Sequence, residues 1–548
     1  MNHPPHTDQL PRLPVISLTI LTLALRLTLL ALAPPSFHAD EGIVALMARH
    51  ITQGASPVFF YGQPYMGSLN AYLIAAGYSV FGESLLSLRL VQAILYTLVT
   101  LTTCLLVWRM THNRFVLWTV GLLTAIPTPL NVLYTSASIG GYVETLLLGN
   151  VFLWLALAFD DALINPTKRA RRALPLHNIL LPLMGLVAGV MWWTNGLMVA
   201  YALPVALWVL WRVSRQGWAG WWRILPALVL ALILFFVGGF PFWQFNATHQ
   251  NAALAFIVPG IAPPAEFATI GIDPLPPPQR ALGLVLFGIP TLVGMRFPWE
   301  SSYFAPLIGF MVIGLYVVAL YSMARQQAET LAPFVRWYCV ATPLLFFGVF
   351  IASSFGTDPT GRYFLPLVLP LHLALALWLA SFPVGWRQRL ALAIAALVIG
   401  YQAAGQWVAA NSATGYTTQF DPAAQLSNAD DAALVAFLTE HDLYHGYTTY
   451  WIAVRLAFLS GEQLQYSAAL PYKPDLSYNP ADNRYPPYAA ATDAAARVAV
   501  VMASDQTALM RDLERQFAAQ GITYTVESVG QFTVLYDFSP VKPAVVFR

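Results

Sequence analysis

Two carboxylates stand side by side in Ala39-Asp40-Glu41-Gly42, and a third, Glu144, closes the run Ser138-Ile139-Gly140-Gly141-Tyr142-Val143-Glu144. A late Arg362-Tyr363 adds a guanidinium and a phenol. A firmly held carboxylate can take the proton from a hydroxyl as a general base, and a planar guanidinium offers the paired donors that suit a phosphate. Together these groups suit a site that meets a hydroxyl and a lipid phosphate. Each also has a plainer explanation. Asp40 reads as the N-cap of an amphipathic helix running from Glu41 to Ile51 and closed by Gly54, while Glu41 and Glu144 suit the positive end of a helix dipole. Both roles are compatible for Asp40, because a capping side chain is rigidly held. For Glu144 the cost of placing an acid in apolar surroundings favours function. Arg362-Tyr363 serves equally as an interfacial anchor whose arginine snorkels to the headgroups. Tyr61 and Tyr65, in Tyr61-Gly62-Gln63-Pro64-Tyr65-Met66-Gly67-Ser68, are interfacial-belt residues by type and candidate substrate contacts by place. A divalent metal held by His38, Asp40, Glu41 or Glu144 is a further option, although their spacing matches no metal motif.

The elements that must position these residues are set by composition. Of 548 residues, 57% are hydrophobic and only 10% charged, with mean hydropathy +0.59, whereas a soluble protein carries about a quarter charged. The chain is therefore a multi-spanning membrane protein, mainly α. A net charge of +2 gives no basic face for nucleic acid. Cys104 and Cys339 both lie in apolar segments, which excludes a disulfide framework and a cysteine zinc site. At about 20 residues per crossing, eleven spans are expected, near 13–33, 86–108, 115–135, 142–160, 179–194, 196–212, 224–243, 303–323, 337–355, 364–381 and 391–409. The first has a small-x-small end, Ala31-Leu32-Ala33, but its apolar run is long for a signal peptide and Pro34 would follow the cut, so a helix is expected. Trp193-Thr194-Asn195-Gly196 is the expected turn between two of the spans. Ala281 to Met295 is short and interrupted by Gly283, Gly288 and Pro290, which suits a re-entrant piece. Arg26 falls within the first span, as the partner of an acid or as a snorkelling cation.

With the N-terminus inside, the inner loops carry fourteen lysines and arginines, including Lys168-Arg169-Ala170-Arg171-Arg172, and the outer short loops five. The positive-inside rule then places the Asp40 loop, the turn before Glu144, the Arg362 loop and everything after Trp407 on the outer face. The expected location is the cytoplasmic membrane, multi-pass, with the site and the C-terminal part extracytoplasmic. Composition changes near Asn411. Helical spacing over 430–441 and Ser504–Gln520, with strand patterns over Arg497–Ala503, Thr523–Ser528 and Gln531–Phe538, predicts a C-terminal α/β domain, 411–548, after a transmembrane domain, 1–410, whose first outer loop is 34–85. A Tyr/Pro-rich loop, Leu470 to Tyr488, interrupts that domain. No internal repeat is visible, which counts against an inverted-repeat transporter.

The acidic pair in a long first outer loop, the helix after it, the Gly62-Gln63-Pro64-Tyr65 stretch, the second acid before the fourth span and the late Arg362-Tyr363 resemble one superfamily over about residues 10–410. It is the integral-membrane GT-C-fold glycosyltransferases, in the branch of protein O-mannosyltransferases, aminoarabinose transferases and rhizobial-type lipopolysaccharide-core transferases. The resemblance implies a polyprenyl-phosphate-sugar donor, a lipid, glycan or protein acceptor, and inversion at the anomeric carbon. It implies Asp40 as general base, Glu41 and Glu144 as holders of the acceptor or an ion, and Arg362 on the donor phosphate. The first outer loop has no lysine, so Arg49, Arg89, Arg362 or a metal must meet the phosphate. Tyr450-Trp451-Ile452-Ala453 and Asn483-Arg484-Tyr485-Pro486 resemble stretches of bacterial members. The competing expectation is a polytopic transporter or flippase for lipid-linked or small polar solutes, and a third is a catalytically silent scaffold.

Overall fold

The computed structural model describes residues 9–164, 177–257, 261–262, 264, 275–325 and 332–547. The basic run Lys168–Arg172 lies outside them. The chain divides into two compact units. One comprises Met1–Pro34, Arg89–Gln244 and Ile272–Gly415, the other Pro35–Leu88, Phe245–Gly271 and Tyr416–Arg548.

The first unit is helical because a chain in lipid must satisfy its backbone polar groups internally. Among the described residues ten helices are long and apolar enough to cross a membrane, eleven if one bent pair counts as a single span. They fall on the expected segments. His177–Thr194 and Gly196–Ser214 are separated at the expected turn, where the Asn195 side chain accepts from Leu197 N–H at 3.0 Å.

The third expected span is broken. Arg114–Ala125 and Pro129–Ser136 meet at 64°, because Pro127 has no N–H to offer and excludes Ile126 from the helical region. The carbonyl of Pro127, left without a helical donor, accepts from Gln406 Nε2 at 2.5 Å. Arg26 meets the other end of this broken span. Its Nη1 donates to Ser136 Oγ at 2.6 Å and approaches Val132 O at 3.4 Å, while the guanidinium lies 3.8 Å over the Tyr96 ring. A cation at the C-terminal end of a helix is favoured by the dipole. The Ala281–Met295 stretch forms Pro277–Gly283, a π turn Leu284–Gly288 and Ile289–Leu292, none of them long enough to cross.

In the second unit, a helix at Ala39–Thr52 packs between helices Leu69–Phe81 and Tyr450–Leu459. It was expected to be amphipathic, yet every residue from Glu41 to His50 is buried. Its outward face is covered by chain that joins it from more than 400 residues away, which no local periodicity reveals. A short antiparallel pair, β1 (Phe59–Phe60) and β2 (Gln63–Gly67), follows it. The C-terminal residues add β3 (His445–Thr449), β4 (Gln465–Leu470), β5 (Ala499–Ala503), β6 (Thr523–Val529) and β7 (Phe532–Ser539), in the order β4-β3-β5-β7-β6. Strand β3 is parallel to β4 and β5, and the β6–β7 hairpin closes the other side antiparallel. The helix Thr507–Ala519 presents Leu509, Leu513 and Phe517 at helical spacing to Val500, Met502 and Leu535 of the sheet. The helices at Asp431–Glu440 and Thr507–Ala519 and the last three strands lie where the pattern predicts them. Strands β3 and β4 and the helices Tyr450–Leu459 and Pro486–Ala494 were not anticipated, since short apolar runs do not separate strand from helix.

Candidate functional site

Asp40 lies in the first turn of Ala39–Thr52, but it is not the N-cap. That position belongs to His38, whose Nδ1 accepts from Asp40 N–H at 3.2 Å and whose Nε2 faces Thr418 Oγ1. The correction releases the Asp40 carboxylate from capping. Tyr450 donates its hydroxyl to Asp40 Oδ1 at 2.7 Å, and Arg484 Nη1 lies 3.2 Å from the same oxygen. Burial pushes the Tyr450 phenol well above its usual range; Arg484 pulls it back in part, and Asp40 raises it further. Tyr450 therefore stays protonated and donates. Asp482, nearby, is pushed up to about 6 by burial, with Arg484 and Lys473 pulling down and Asp40 pushing up. The side chain of Asp40 keeps 30% exposure, whereas Glu41 is entirely buried. Asp40 is the more open of the pair.

Gly42 explains why the next residue in the motif is the smallest. A Cβ there would stand 2.9 Å from Val454 Cγ1, so its absence lets Tyr450–Leu459 cross close enough to deliver Tyr450. Behind this helix, Tyr61 is paired through its hydroxyl with His50 Nδ1 at 2.8 Å, and His50 Nε2 faces Glu462 Oε1 at 2.9 Å. Tyr488 donates to Glu462 Oε1 at 2.6 Å. Tyr485 packs against both His50 and Tyr61. Tyr65 packs against Phe256, their ring centroids 5.3 Å apart, and lies within electrostatic reach of Arg484. Arg49, one candidate for a phosphate, is instead buried against Glu83, Glu462 and the carbonyl of Phe458.

The first unit carries the remaining candidates. Glu144 is buried in the first turn of Tyr142–Leu163, beyond a loop fixed by Asn195 Nδ2 on Gly140 O at 3.0 Å. Arg362 Nη2 pairs with Asp358 Oδ2 at 2.7 Å and donates to the Tyr363 hydroxyl at 3.0 Å. Asp358 Oδ1 accepts from Thr360 N–H at 3.0 Å. Tyr134 and Tyr142, their rings edge to face, lie within electrostatic reach of Arg362. Arg296 lies over the Phe287 ring and donates to Thr291 Oγ1 at 3.2 Å. Burial lowers Arg296, and the charge of Asp358 partly offsets this. Among the described residues no three His, Cys, Asp or Glu side chains converge as metal ligands.

No protein-family model matches the chain, and a search of curated proteins finds no match. Solved structures do match along its length. ArnT from Cupriavidus metallidurans bound to undecaprenyl phosphate aligns over 97% of this chain and 99% of that one, with TM-score 0.59 at 14% identity. The archaeal oligosaccharyltransferase AglB from Archaeoglobus fulgidus, in complex with an inhibitory peptide and a dolichol-phosphate, aligns over 95% of this chain and 74% of that one, with TM-score 0.51 at 13% identity. The chain has the GT-C fold. Its polytopic helical region and C-terminal sheet are both part of the ArnT alignment.

Within this GT-C chain, sequence reasoning singled out Asp40 but not the groups that hold it. Tyr450 and Arg484 sit in stretches noted only for resemblance, and no spacing rule joins them to Asp40. Asp482 and Glu462 were missed altogether. Asp358 was within reach, since an acid four residues before Arg362 is a local signal.

Proposed function

We propose that the chain is a membrane glycosyltransferase. It would move a sugar from a polyprenyl-phosphate donor to the hydroxyl of a lipid, glycan or protein acceptor on the outer face of the cytoplasmic membrane, with the C-terminal α/β domain on that side. The observation that carries the reading is a partly exposed carboxylate, Asp40, held by an arginine and a tyrosine at the start of a buried helix in a GT-C fold. ArnT was solved with undecaprenyl phosphate and AglB with a dolichol-phosphate, which supports a lipid-phosphate donor.

In the proposed reaction the Asp40 carboxylate takes the acceptor's hydroxyl proton. The acceptor oxygen forms a bond to the anomeric carbon, the bond from that carbon to the phosphate oxygen breaks, and its electron pair leaves with the lipid phosphate. Attack opposite the leaving group inverts the anomeric centre. Arg362, with Tyr363 beside it, is assigned to the phosphate, where a cation stabilises the charge developing on the leaving oxygen. Glu144 is assigned to the acceptor, and Tyr61 and Tyr65 to the substrate-facing turn. Glu41, next to Asp40, is assigned with Glu144 to holding the acceptor or an ion.

The test is transfer of radiolabelled sugar from a panel of polyprenyl-phosphate sugars to membrane acceptors, comparing wild type with Asp40→Asn. Asparagine can still accept from Tyr450 but cannot take a proton. The expected result is a fall in kcat of about 100-fold or more with donor binding retained. Equal transfer by the variant would remove Asp40 as base, and no transfer from any donor would remove the transferase reading.

A further inference from the structure

The Tyr61-Gly62-Gln63 turn has a second task that the proposed reaction leaves unexplained. Gly62 has φ +70°, and a Cβ there would stand 2.9 Å from both Cβ and Cγ of Arg484 and 3.0 Å from its Cα. An L side chain is thus disfavoured by conformation and excluded by contact. The next residue, Gln63, turns its amide to the same side chain: with its oxygen facing the guanidinium, that atom lies 3.2 Å from both Nη1 and Nη2 of Arg484. The guanidinium also lies 4.6 Å over the Tyr450 ring and reaches Asp40 Oδ1. Tyr450 donates to that same oxygen.

Such an arginine is fixed on several sides before any substrate arrives. Its planar fork serves Gln63 and Asp40 at once, which the single ammonium of a lysine could not do in this geometry. Two donors converging on one carboxylate oxygen fix the orientation of the group and favour its ionised form. Asp482 is a second carboxylate within electrostatic reach of the guanidinium, so Arg484 balances two negative groups.

We infer that Arg484, cradled by Gly62 and Gln63, acts with Tyr450 as the positioning pair that orients the Asp40 carboxylate and keeps it ionised for proton abstraction. The inference rests on the transferase reading, and it assigns a role in the reaction to the C-terminal segment and to the Gly62-Gln63 turn. Neither residue of the pair needs to touch substrate.

The test compares full-length wild type with Arg484→Gln, Arg484→Lys, Tyr450→Phe and Gly62→Ala, measuring kcat, both KM values and the pH profile of transfer. Arg484→Gln and Tyr450→Phe should lower kcat by about tenfold or more, with KM changed by less than about threefold, and move the acid limb of the profile up by about one pH unit. Gly62→Ala should reproduce the loss in kcat. Arg484→Lys keeps the buried charge and guards against misfolding; it should hold the acid limb while restoring kcat only in part. A tenfold rise in either KM with an unmoved acid limb would make Arg484 a substrate ligand and overturn the inference. If wild type itself moves no sugar, the transferase reading fails separately. A thermal-unfolding cycle of Asp40→Asn, Arg484→Gln and the double variant then decides the pairing: non-additive shifts support it, and additive shifts overturn it.

Discussion

The Asp40 centre and the Arg362 centre are built in opposite ways. Arg362 is held by its own loop, with Asp358 four residues before it, Thr360 fixing that aspartate, and Tyr363 next in the chain. Asp40 is held by residues more than 400 positions later, Tyr450 and Arg484. A centre built from one loop can open or shift as that loop moves. A centre assembled from distant segments is only as good as the fastening between them. The comparison therefore teaches where each is vulnerable: the first to its own side chains, the second to substitutions that never touch it.

The largest effect should come from breaking that fastening. Arg455 and Asp431 form a buried ion pair; Arg455 also donates to Ser427 O, while Asn428 bonds to Asp431 and to both backbone groups of Phe37, just before the acidic helix. Burial raises Asp431 and lowers Arg455, each against the pull of the other. Removing one partner of such a pair costs about 3–5 kcal/mol. Asp431→Ala should accordingly lower the melting temperature of the detergent-solubilised protein more than any change in the Arg362 loop. Replacing both partners with apolar residues of similar volume should recover much of the loss. A small shift in Asp431→Ala would show that the segments are joined by something else.

A smaller effect should follow from widening the helix crossing at Gly42. Gly42→Ala places a methyl against Val454, and overpacking of this kind costs about 1–3 kcal/mol. It should also draw Tyr450 away from Asp40, lowering kcat while leaving KM for the donor intact. Val454→Ala in the same chain makes room and should restore transfer. Failure of that rescue would mean that Gly42 serves backbone conformation and not the crossing.

These two regions also show what could be read from the residues alone. The spans were legible because lipid demands long apolar helices, but the third was expected to run unbroken over 115–135, and its break at Pro127 was not anticipated. Arg362 and Asp358 share one loop, so their pairing was within local reach. Asp40 was conspicuous as an acid at the end of an apolar stretch, yet its helix looked amphipathic and its own role looked like capping. Both impressions came from treating the helix without the chain that covers it. His38 took the cap through a ring nitrogen, which helix-start rules do not anticipate, and Tyr450 and Arg484 came from elements whose short apolar or Tyr/Pro-rich patterns carry little local signal.

The local centre can be tested by charge-preserving exchange. Arg362→Lys keeps the cation but loses the fork, and the loss of one charge-assisted hydrogen bond to a phosphate corresponds to about a tenfold rise in donor KM. The acid limb of the pH profile should not move, in contrast with Arg484→Gln. A shift of that limb in Arg362→Lys would mean that the two centres do not divide the work as described.

The mildest test uses pH itself. Burial alone would raise the Glu462 carboxyl, but hydrogen bonds from His50 and Tyr488, with the charges of His50 and Arg49, outweigh it and bring the group down to about 2. Its ordinary value is near 4.5, so the folded state holds this carboxylate ionised where the unfolded chain would protonate it. The resulting stabilisation is full above about pH 4.5 and fades as pH falls toward 2. Glu462→Gln should flatten this part of the stability profile and leave its slope near neutrality unchanged. Because Glu462 ties together residues on either side of the long connection, Arg49 and His50 with Tyr488, the same variant should loosen the assembled centre at neutral pH without altering the Arg362 loop. An unchanged acid slope would show that the ion pairs at Glu462 persist in the unfolded chain, so that they fasten nothing.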